Sequence, residues 1–283
     1  MIANLTLTLF AIALLVGIAL PIVVHLLSRK EIKKKISVLI IGVLSFILIT
    51  VLLQNVMYGS TMQSGWYLRL LQTANENPGS FIAALPISLY QAVVNALFVV
   101  IAIIAAYRIV GRKRDLDYSD GFSLGFSYAT IGIIVVLMIP NFINFFNARA
   151  VNAGTFVETM LNNDFSIEQI NFLIVMLQMH TLPVMITIIV EAVLFFFVAI
   201  AITIFLLEGI NKKIEIKYNL VAIAYLIVSG ILVRFSAFLN IPIFMTIVVI
   251  IVYAPAIYYL TIAKNRLTPV QRRKKWKKSK SST

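Results

Sequence analysis

Seven long apolar runs, each bounded by charged or polar residues, constrain this chain more than any other feature of its sequence. Each run is about 20 residues or longer, the length that an α-helix needs to cross a bilayer core of about 30 Å. Strands of a membrane β-barrel would alternate apolar and polar residues over about ten positions, whereas these runs are apolar on all sides. We therefore predict an all-α, polytopic membrane bundle of seven helices. The predicted spans are 4–27, 36–57, 80–107, 121–146, 181–207, 218–237 and 241–263, which form one transmembrane domain (1–263) followed by a basic tail (264–283).

The composition excludes most other classes of protein. Hydrophobic residues make up 61% of the 283 positions and charged residues only 12%, whereas about a quarter of the residues in soluble domains are charged. Despite the net charge of +13, we expect no nucleic-acid partner. Because the chain contains no cysteine, disulfides and thiolate metal sites are excluded.

The basic residues predict the topology. The first apolar run is followed by the cluster Arg29–Lys35 and has no Lys or Arg before it, the reverse of the charge order in a signal peptide. If the amino terminus lies outside, alternation puts 21 of the 24 Lys and Arg residues on the cytoplasmic side and leaves Arg69, Arg149 and Arg234 on the other. We therefore predict a plasma-membrane protein with its amino terminus outside and its carboxyl terminus in the cytoplasm.

The basic tail suggests a lipid contact. Cations near a membrane surface each attract anionic headgroups by about 1 kcal/mol. We expect membrane lipids, rather than RNA, to be the partners of Arg272, Arg273, Lys274, Lys275, Trp276, Lys277 and Lys278.

The two long segments between spans on the outer side carry helix signals. In residues 59–79, Trp66 and Leu70, like Tyr67 and Leu71, are four apart and share one face of a short interfacial helix. Such outer helices either cover a cavity as a lid or pack at the membrane surface.

The second of these segments contains two capping-box patterns, Thr155-x-x-Glu158 and Ser166-x-x-Gln169. Pro183 then indicates a kink or a fresh start before the fifth span.

Glu191 is the one acidic residue that falls near the middle of a predicted span. A single carboxylate does not make the pair that acid–base catalysis or a metal site needs. His180 lies about 16 Å from it along a helix axis, and His25 lies near the inner end of the first span, so we predict neither a metal site nor a cofactor. Three roles for Glu191 remain open: an ion pair with Arg234, a protonated interhelical hydrogen bond, or a proton or cation relay.

Other polar residues could line a cavity together with Glu191. Gln91 and Asn95 are four apart on the third span, Tyr128 lies on the fourth and Tyr225 on the sixth. The alternative is a set of separate interhelical hydrogen bonds worth about 0.6 kcal/mol each. A further pattern, the small residues Gly121, Gly125 and Ala129 at four-residue spacing, predicts close helix packing.

The stretch from Asp120 to Gly132, DGFSLGFSYATIG, resembles the signature of the YhfC-type intramembrane metalloproteases, a bacterial group akin to the CAAX-protease-and-bacteriocin-processing families. In that family D-G-x-x-x-G leads into G-H-G-G-x-E. Asp120, Gly121 and Gly125 match the start, whereas Tyr128 stands at the position of the family's His and Gly132 at that of its Glu.

The rest of the family's chemistry is also replaced. Its E-E-x-x-R motif has no counterpart between Asn77 and Tyr107. In the fifth span Glu191 matches the family's Glu, but Ala192 replaces its Arg, and Ala199 falls near its His. In the sixth span Tyr225 lies near another family His. The resemblance therefore implies a degenerate bacterial member that lacks the catalytic residues.

A metalloprotease needs at least three metal ligands and an activated water, so the resemblance implies a protein without catalytic activity. We expect a binding or scaffold protein for membrane clients, such as a membrane protein or peptide. One alternative is a transporter or permease component with Glu191 in the path, and a second is an active intramembrane peptidase.

Overall fold

The computed structural model describes residues 2–32, 36–77, 80–112, 115–238 and 241–267, and within these ranges all regular structure is helical. The basic tail residues 272–278, for which we predicted lipid contact, lie outside the described residues. Two stretches, Phe46–Leu53 and Ile134–Met138, are π-helical, and we call them the first and second π stretch. The α-helices are α1 Asn4–Leu27, α2 Arg29–Ile32, α3 Ile36–Ser45, α4 Gln54–Met62, α5 Gly65–Glu76, α6 Phe81–Val110, α7 Tyr118–Ile133, α8 Ile139–Ala153, α9 Phe156–Leu161, α10 Ile167–Gln178, α11 Leu182–Asn211, α12 Glu215–Phe238 and α13 Pro242–Leu267.

Seven helices of the described chain are long and apolar enough to cross a membrane, which confirms the predicted fold class. The fourth extends past its predicted end at residue 146, because the helix continues through polar residues until Gly154 adopts a left-handed conformation with φ +77°. The predicted orientation of the termini stays a prediction. The seven spans are Asn4–Leu27, Ile36–Met62, Ile82–Val110, Tyr118–Ala153, Leu182–Asn211, Glu215–Arg234 and Pro242–Ala263.

The chain divides into two compact units. Unit 1 comprises Met1–Leu27 and Gly132–Val193, and unit 2 comprises Ser28–Ile131 and Leu194–Thr283. The boundaries fall inside the fourth and fifth spans, where hydropathy alone marks no change.

Unit 1 is built on α1, which packs against α8 and the second π stretch. Gly17 allows this approach, because a Cβ atom there would collide with the side chain of Met138. Asn152 binds the backbone of Ile2 through two hydrogen bonds. The Asn152 side-chain amide accepts from the Ile2 N–H at 2.6 Å and donates to the Ile2 carbonyl at 2.9 Å.

Only one of the two capping-box patterns in unit 1 forms. Ser166 accepts from the N–H of Gln169, and the Gln169 side chain accepts from the Ser166 N–H, so α10 begins with a complete box. The Thr155 prediction is wrong: its side chain makes no cap hydrogen bond at the start of α9. The physical reason is its backbone, which is already α-helical at φ −92° and ψ −12°, whereas a capping residue is typically extended. Pro183 lies in the first turn of α11 and so marks a fresh start.

In unit 2, α6 packs against α12, α3, α5 and the first π stretch. The predicted small-residue seam is present on α7. A Cβ atom on Gly121 would lie 2.8 Å from Leu207, and one on Gly125 would lie 2.8 Å from the Cα of Ile200. Gly125 therefore brings α7 close to the backbone of α11, and Gly121 makes room for the side chain of Leu207.

The predicted interfacial helix is α5. Its Tyr67 and Ala74 are buried against Ile87 of α6, with Leu70 packed on the same cluster. Trp66, on another face, is half exposed. The α5 helix thus brings aromatic side chains to the start of α6, where the polar residues of unit 2 gather.

Candidate functional site

Amide and phenol side chains on two neighbouring helices form a polar network inside unit 2, which we call the Gln91 network. Gln54 and Tyr58 are four residues apart on α4, and Gln91 and Asn95 are four apart on α6, so each helix presents a polar pair on one face. The Gln54 amide donates to the side-chain oxygen of Asn95. The Tyr58 hydroxyl donates to that same oxygen at 3.0 Å and lies 3.2 Å from the backbone carbonyl of Gln91.

A guanidinium group joins this network from α12. Arg234, the last residue of the sixth span, is half-buried and donates from Nη1 to Oε1 of Gln91. The Gln91 amide nitrogen in turn donates to the hydroxyl of Tyr67 at 3.0 Å. One amide thus connects α12, α6 and α5, and the network reaches the end of the sixth span.

The bond to Gln91 uses only part of the hydrogen-bonding capacity of the guanidinium. An arginine carries five N–H donors, and the bond to Gln91 is the one that Arg234 makes to the described residues of unit 2. No carboxylate in the described part of unit 2 lies within ion-pair distance of it. Because Arg234 is half-buried at the end of a span, a partner with acceptor oxygens would use its remaining donors.

A buried acceptor without a hydrogen-bond partner lies on α4, the other helix of the network. Gln54 is buried, and its Oε1 accepts no hydrogen bond from the described residues. Leaving a buried acceptor unpaired costs about 1–3 kcal/mol. Within the described part of unit 2, the network therefore has groups without a hydrogen-bond partner at both ends: an acceptor on α4 and donors on α12.

Aromatic rings surround the end of the network that carries Tyr67. The ring centroid of Tyr90 lies 5.7 Å from that of Tyr67, 5.2 Å from that of Trp66 and 6.3 Å from that of Tyr58, all in edge-to-face geometry. The Tyr90 hydroxyl donates to Thr61 at 2.9 Å. Amphipathic rings of this kind are typical of the membrane–water interface, which agrees with the position of Arg234 at the end of a span.

The other two residues predicted for a shared cavity in this unit have separate partners. The Tyr128 hydroxyl lies 2.9 Å from that of Thr50 in the first π stretch, and its ring packs edge-on against Phe46. The Tyr225 hydroxyl donates to the carbonyl of Val252 at 2.9 Å. Tyr225 also lines an apolar cavity of about 160 Å³ between α11, α12 and α13. Of the five predicted cavity residues, the Gln91 network therefore unites Gln91 and Asn95.

Glu191 and His180 belong to unit 1. Glu191 is half-buried on α11. His180 Nδ1 lies 2.8 Å from the carbonyl of Met176, and its ring packs edge-on against Phe10. The described residues contain no group of three or more His, Asp or Glu side chains placed to hold a metal ion.

An ion pair with a buried carboxylate, which we did not predict from the sequence, lies at the end of α11. Glu208 is 1% exposed; it accepts from Lys212 Nζ at 2.5 Å and from the Tyr259 hydroxyl at 2.6 Å. Lys212 also donates to the hydroxyl of Tyr218 at 3.1 Å. These two hydrogen bonds, the one to Glu208 first, raise the pKa of Lys212 above its ordinary value. The four-residue spacing of Glu208 and Lys212 at a helix end is the feature of the sequence that indicates this pair.

Gln54, Tyr58 and Tyr67 were also missed, although Gln54 and Tyr58 have the same four-residue spacing as Gln91 and Asn95. The groups that make up the Gln91 network are amides, phenols and a guanidinium, none of which ordinarily titrates near neutral pH. They can bind and orient a partner by hydrogen bonds. Comparisons of the chain with known protein families, curated proteins and solved structures find no match.

Proposed function

We propose that the protein is a membrane-embedded binding protein that receives a polypeptide client at the Gln91 network and does not cleave it. The observation that carries this proposal is the half-buried guanidinium of Arg234, which donates to Gln91 and makes no other hydrogen bond to the described residues of unit 2, although an arginine carries five N–H donors. A guanidinium forms its strongest hydrogen bonds with carboxylates and phosphates, two bonds at a time. The client expected here is a membrane-spanning or membrane-surface polypeptide with an acidic side chain near the bilayer boundary.

The resemblance of the fourth span to the YhfC-type proteases supports the same function. If the chain is a degenerate member of that group, it keeps a helical bundle suited to a transmembrane client. Tyr128 and Gly132 stand at the positions of the family's His and Glu, so binding without cleavage is the expected outcome. With the predicted topology, the client would be met at the outer side of a bacterial plasma membrane.

Site-specific photocrosslinking tests the proposal. A photoreactive phenylalanine at Leu89, an exposed position two residues before Gln91, should capture a discrete polypeptide in intact cells. Arg234→Gln should reduce that adduct at least about tenfold, since hydrogen bonds to charged groups contribute about 1.5–3 kcal/mol. Arg234→Lys, which keeps the charge but not the planar fork, should give an intermediate yield.

The matched control is a photoreactive phenylalanine at Ile101, which is exposed on the same helix about three turns away. Its adducts should not depend on Arg234. Adducts to lipid alone at position 89, or a polypeptide adduct of equal yield in Arg234→Gln, would contradict the proposal.

One further substitution separates binding from the transport alternative. Glu191→Gln removes the charge that a transport path through the fifth span would require. For a binding protein the position-89 adduct should persist in this variant. Loss of a measurable ion or solute flux in Glu191→Gln, with the adduct unaffected by Arg234→Gln, would favour transport instead.

A further inference from the structure

Two adjoining hollows lie in unit 2 beside the turn between α11 and α12 and the end of α6. The larger has a volume of about 810 Å³ and the smaller about 460 Å³. They share Arg108, Lys213 and Glu215, so we treat them as one cleft and call it the Lys213 cleft. None of its residues belongs to the Gln91 network.

The rim of the Lys213 cleft is predominantly cationic. Arg108 pairs with Glu215 at 2.8 Å, and the two side chains are 70% and 33% exposed, respectively. Arg112, Lys213 and Lys217 are exposed on the same rim, and among the described residues that line the cleft Asp115 is the other acidic one. Four cations against two carboxylates leave an excess of positive charge around the opening.

The floor of the same cleft is apolar. Ile216 is 76% exposed and Leu220 62% exposed, and both line the larger hollow together with Ile214 and Val221. These residues lie in or next to the first turns of α12, which is a candidate membrane span. Apolar side chains this exposed at the start of a span are suited to acyl chains, so the cleft combines an anion-binding rim with a lipid-binding floor.

The backbone holds a lysine on this rim at a position that usually belongs to glycine. The N–H of Lys213 donates to the carbonyl of Ile210 and that of Ile214 to Gly209, both at 3.1 Å. This is a Schellman motif, in which the residue after the helix cap adopts a left-handed conformation and is most often glycine. Lys213 occupies that position with φ +60°, where glycine would be less strained, and the turn holds the lysine on the rim of the cleft.

We propose that the Lys213 cleft binds the headgroup of an anionic phospholipid, with the phosphate oxyanion at the cationic rim and the acyl chains along the apolar floor. Basic pockets between membrane helices are known to favour such headgroups. A free phosphate would meet the same cations and leave the floor uncovered. This inference is independent of the client-binding proposal, because it rests on different residues.

The experiment is a lipid titration of the purified full chain, followed by native mass spectrometry. The probes are phosphatidylglycerol and phosphatidylcholine with identical acyl chains. The unmodified protein should retain phosphatidylglycerol preferentially. Lys217→Gln should weaken that binding about fivefold, the effect expected for one cation near a membrane surface. The matched control Lys30→Gln, an exposed lysine on α2, should have a smaller effect.

Lys213→Gly separates a binding role from a structural one. Because it relieves the left-handed lysine, it should not lower the melting temperature, yet it should weaken phosphatidylglycerol binding by a factor similar to that of Lys217→Gln. The proposal would be overturned by equal binding of the two lipids, by Lys217→Gln acting no more strongly than Lys30→Gln, or by full binding in Lys213→Gly. Displacement of the lipid by equimolar inorganic phosphate would identify a free-anion site instead and would also overturn it.

Discussion

The side-chain oxygen of Gln91 accepts a hydrogen bond from the guanidinium of Arg234, which lies 143 residues further along the chain. The nitrogen of the same amide donates to Tyr67. A single side chain therefore orients both a cation and a phenol, one on either end of its amide group. Neither contact could form if α12 and α5 were not both packed against α6.

Replacing that amide should cost stability. Gln91→Leu leaves both the guanidinium of Arg234 and the hydroxyl of Tyr67 without this hydrogen-bond partner. Each lost partner lowers the free energy of unfolding by about 1–3 kcal/mol. We expect a clearly lower melting temperature in detergent than for Gln63→Leu, which changes an exposed glutamine at the end of α4. Equal stability of the two variants would show that the Gln91 amide does not hold the network together.

The seam on α7 predicts opposite effects for two glycine substitutions. A Cβ atom on Gly125 would lie 2.8 Å from the Cα of Ile200, so Gly125→Ala must push two helix backbones apart, at a cost of about 1–3 kcal/mol. A Cβ atom on Gly59 would meet no heavy atom within 4 Å. Gly59→Ala should therefore stabilise its helix, by up to about 1 kcal/mol. Thermal unfolding of both variants checks the signs, and a stable Gly125→Ala protein would contradict the close approach.

The ion pair of Lys212 predicts a loss of stability in alkali. Its pKa is raised above 10.5 by the hydrogen bonds to Glu208 and Tyr218. A group whose pKa is higher in the folded state stabilises the protein fully below its unfolded value and loses that contribution as the pH rises through the folded value. The melting temperature of the unmodified protein should therefore approach that of Lys212→Met as the pH rises above about 10.5.

A second pair of proteins provides the control for this pH dependence. When Glu208→Gln has removed the carboxylate acceptor, adding Lys212→Met should change the melting temperature less, and with a weaker dependence on pH, than it does in the unmodified protein. A melting-temperature difference that stays constant across the alkaline range in the unmodified background would argue against the ion pair.

The capping box of α10 predicts a local effect. Ser166→Ala removes the acceptor for the N–H of Gln169, a loss that typically costs about 1 kcal/mol. Hydrogen exchange should accelerate in the first turns of α10. Thr155→Ala is the control, because Thr155 makes no cap bond, and it should leave the exchange of α9 nearly unchanged. Similar acceleration in both helices would show that the box is not what holds α10.

The absence of cysteine from the sequence allows a direct test of the predicted topology. Asn163→Cys, in the segment between the fourth and fifth spans, should react with a membrane-impermeant maleimide in intact cells. Lys30→Cys, between the first and second spans, should react only after the membrane is permeabilised. The reverse pattern would place the amino terminus in the cytoplasm.

Hydropathy predicted the seven spans because each span must be apolar over its whole length to cross a bilayer, a condition that does not depend on neighbouring helices. The end of the fourth span could not be read in this way. Residues 147–153 are more polar, and the helix stops only where Gly154 becomes left-handed. The failed box at Thr155 has a similar cause, since the pattern of side chains does not report the backbone angles that a cap requires.

The candidate site was predictable only helix by helix. The spacing of Gln91 and Asn95 showed that they share a face, because that spacing is a property of one helix. Their partners on α4 and α12 depend on which helices pack together, which one sequence does not reveal. Glu208 was passed over for the same reason: a position near a helix end suggests solvent, whereas the packing of Tyr259 and Lys212 buries its carboxylate.

The first π stretch has a consequence for how this span could change in evolution. Its last turn is wide: the N–H of Gln54 donates to the carbonyl of Ile49, five residues back. A wide turn of this kind holds about one residue more than an α-helical turn. Deleting one residue from Phe46–Leu53 would therefore let the turn close to an α-helical one and would leave Gln54 and Tyr58 on the face that meets Asn95. A deletion within a regular α-helix would instead rotate everything that follows by about 100°. The π stretch thus gives this span room to lose a residue while keeping the rotational phase of its polar pair, a property that hydropathy does not record.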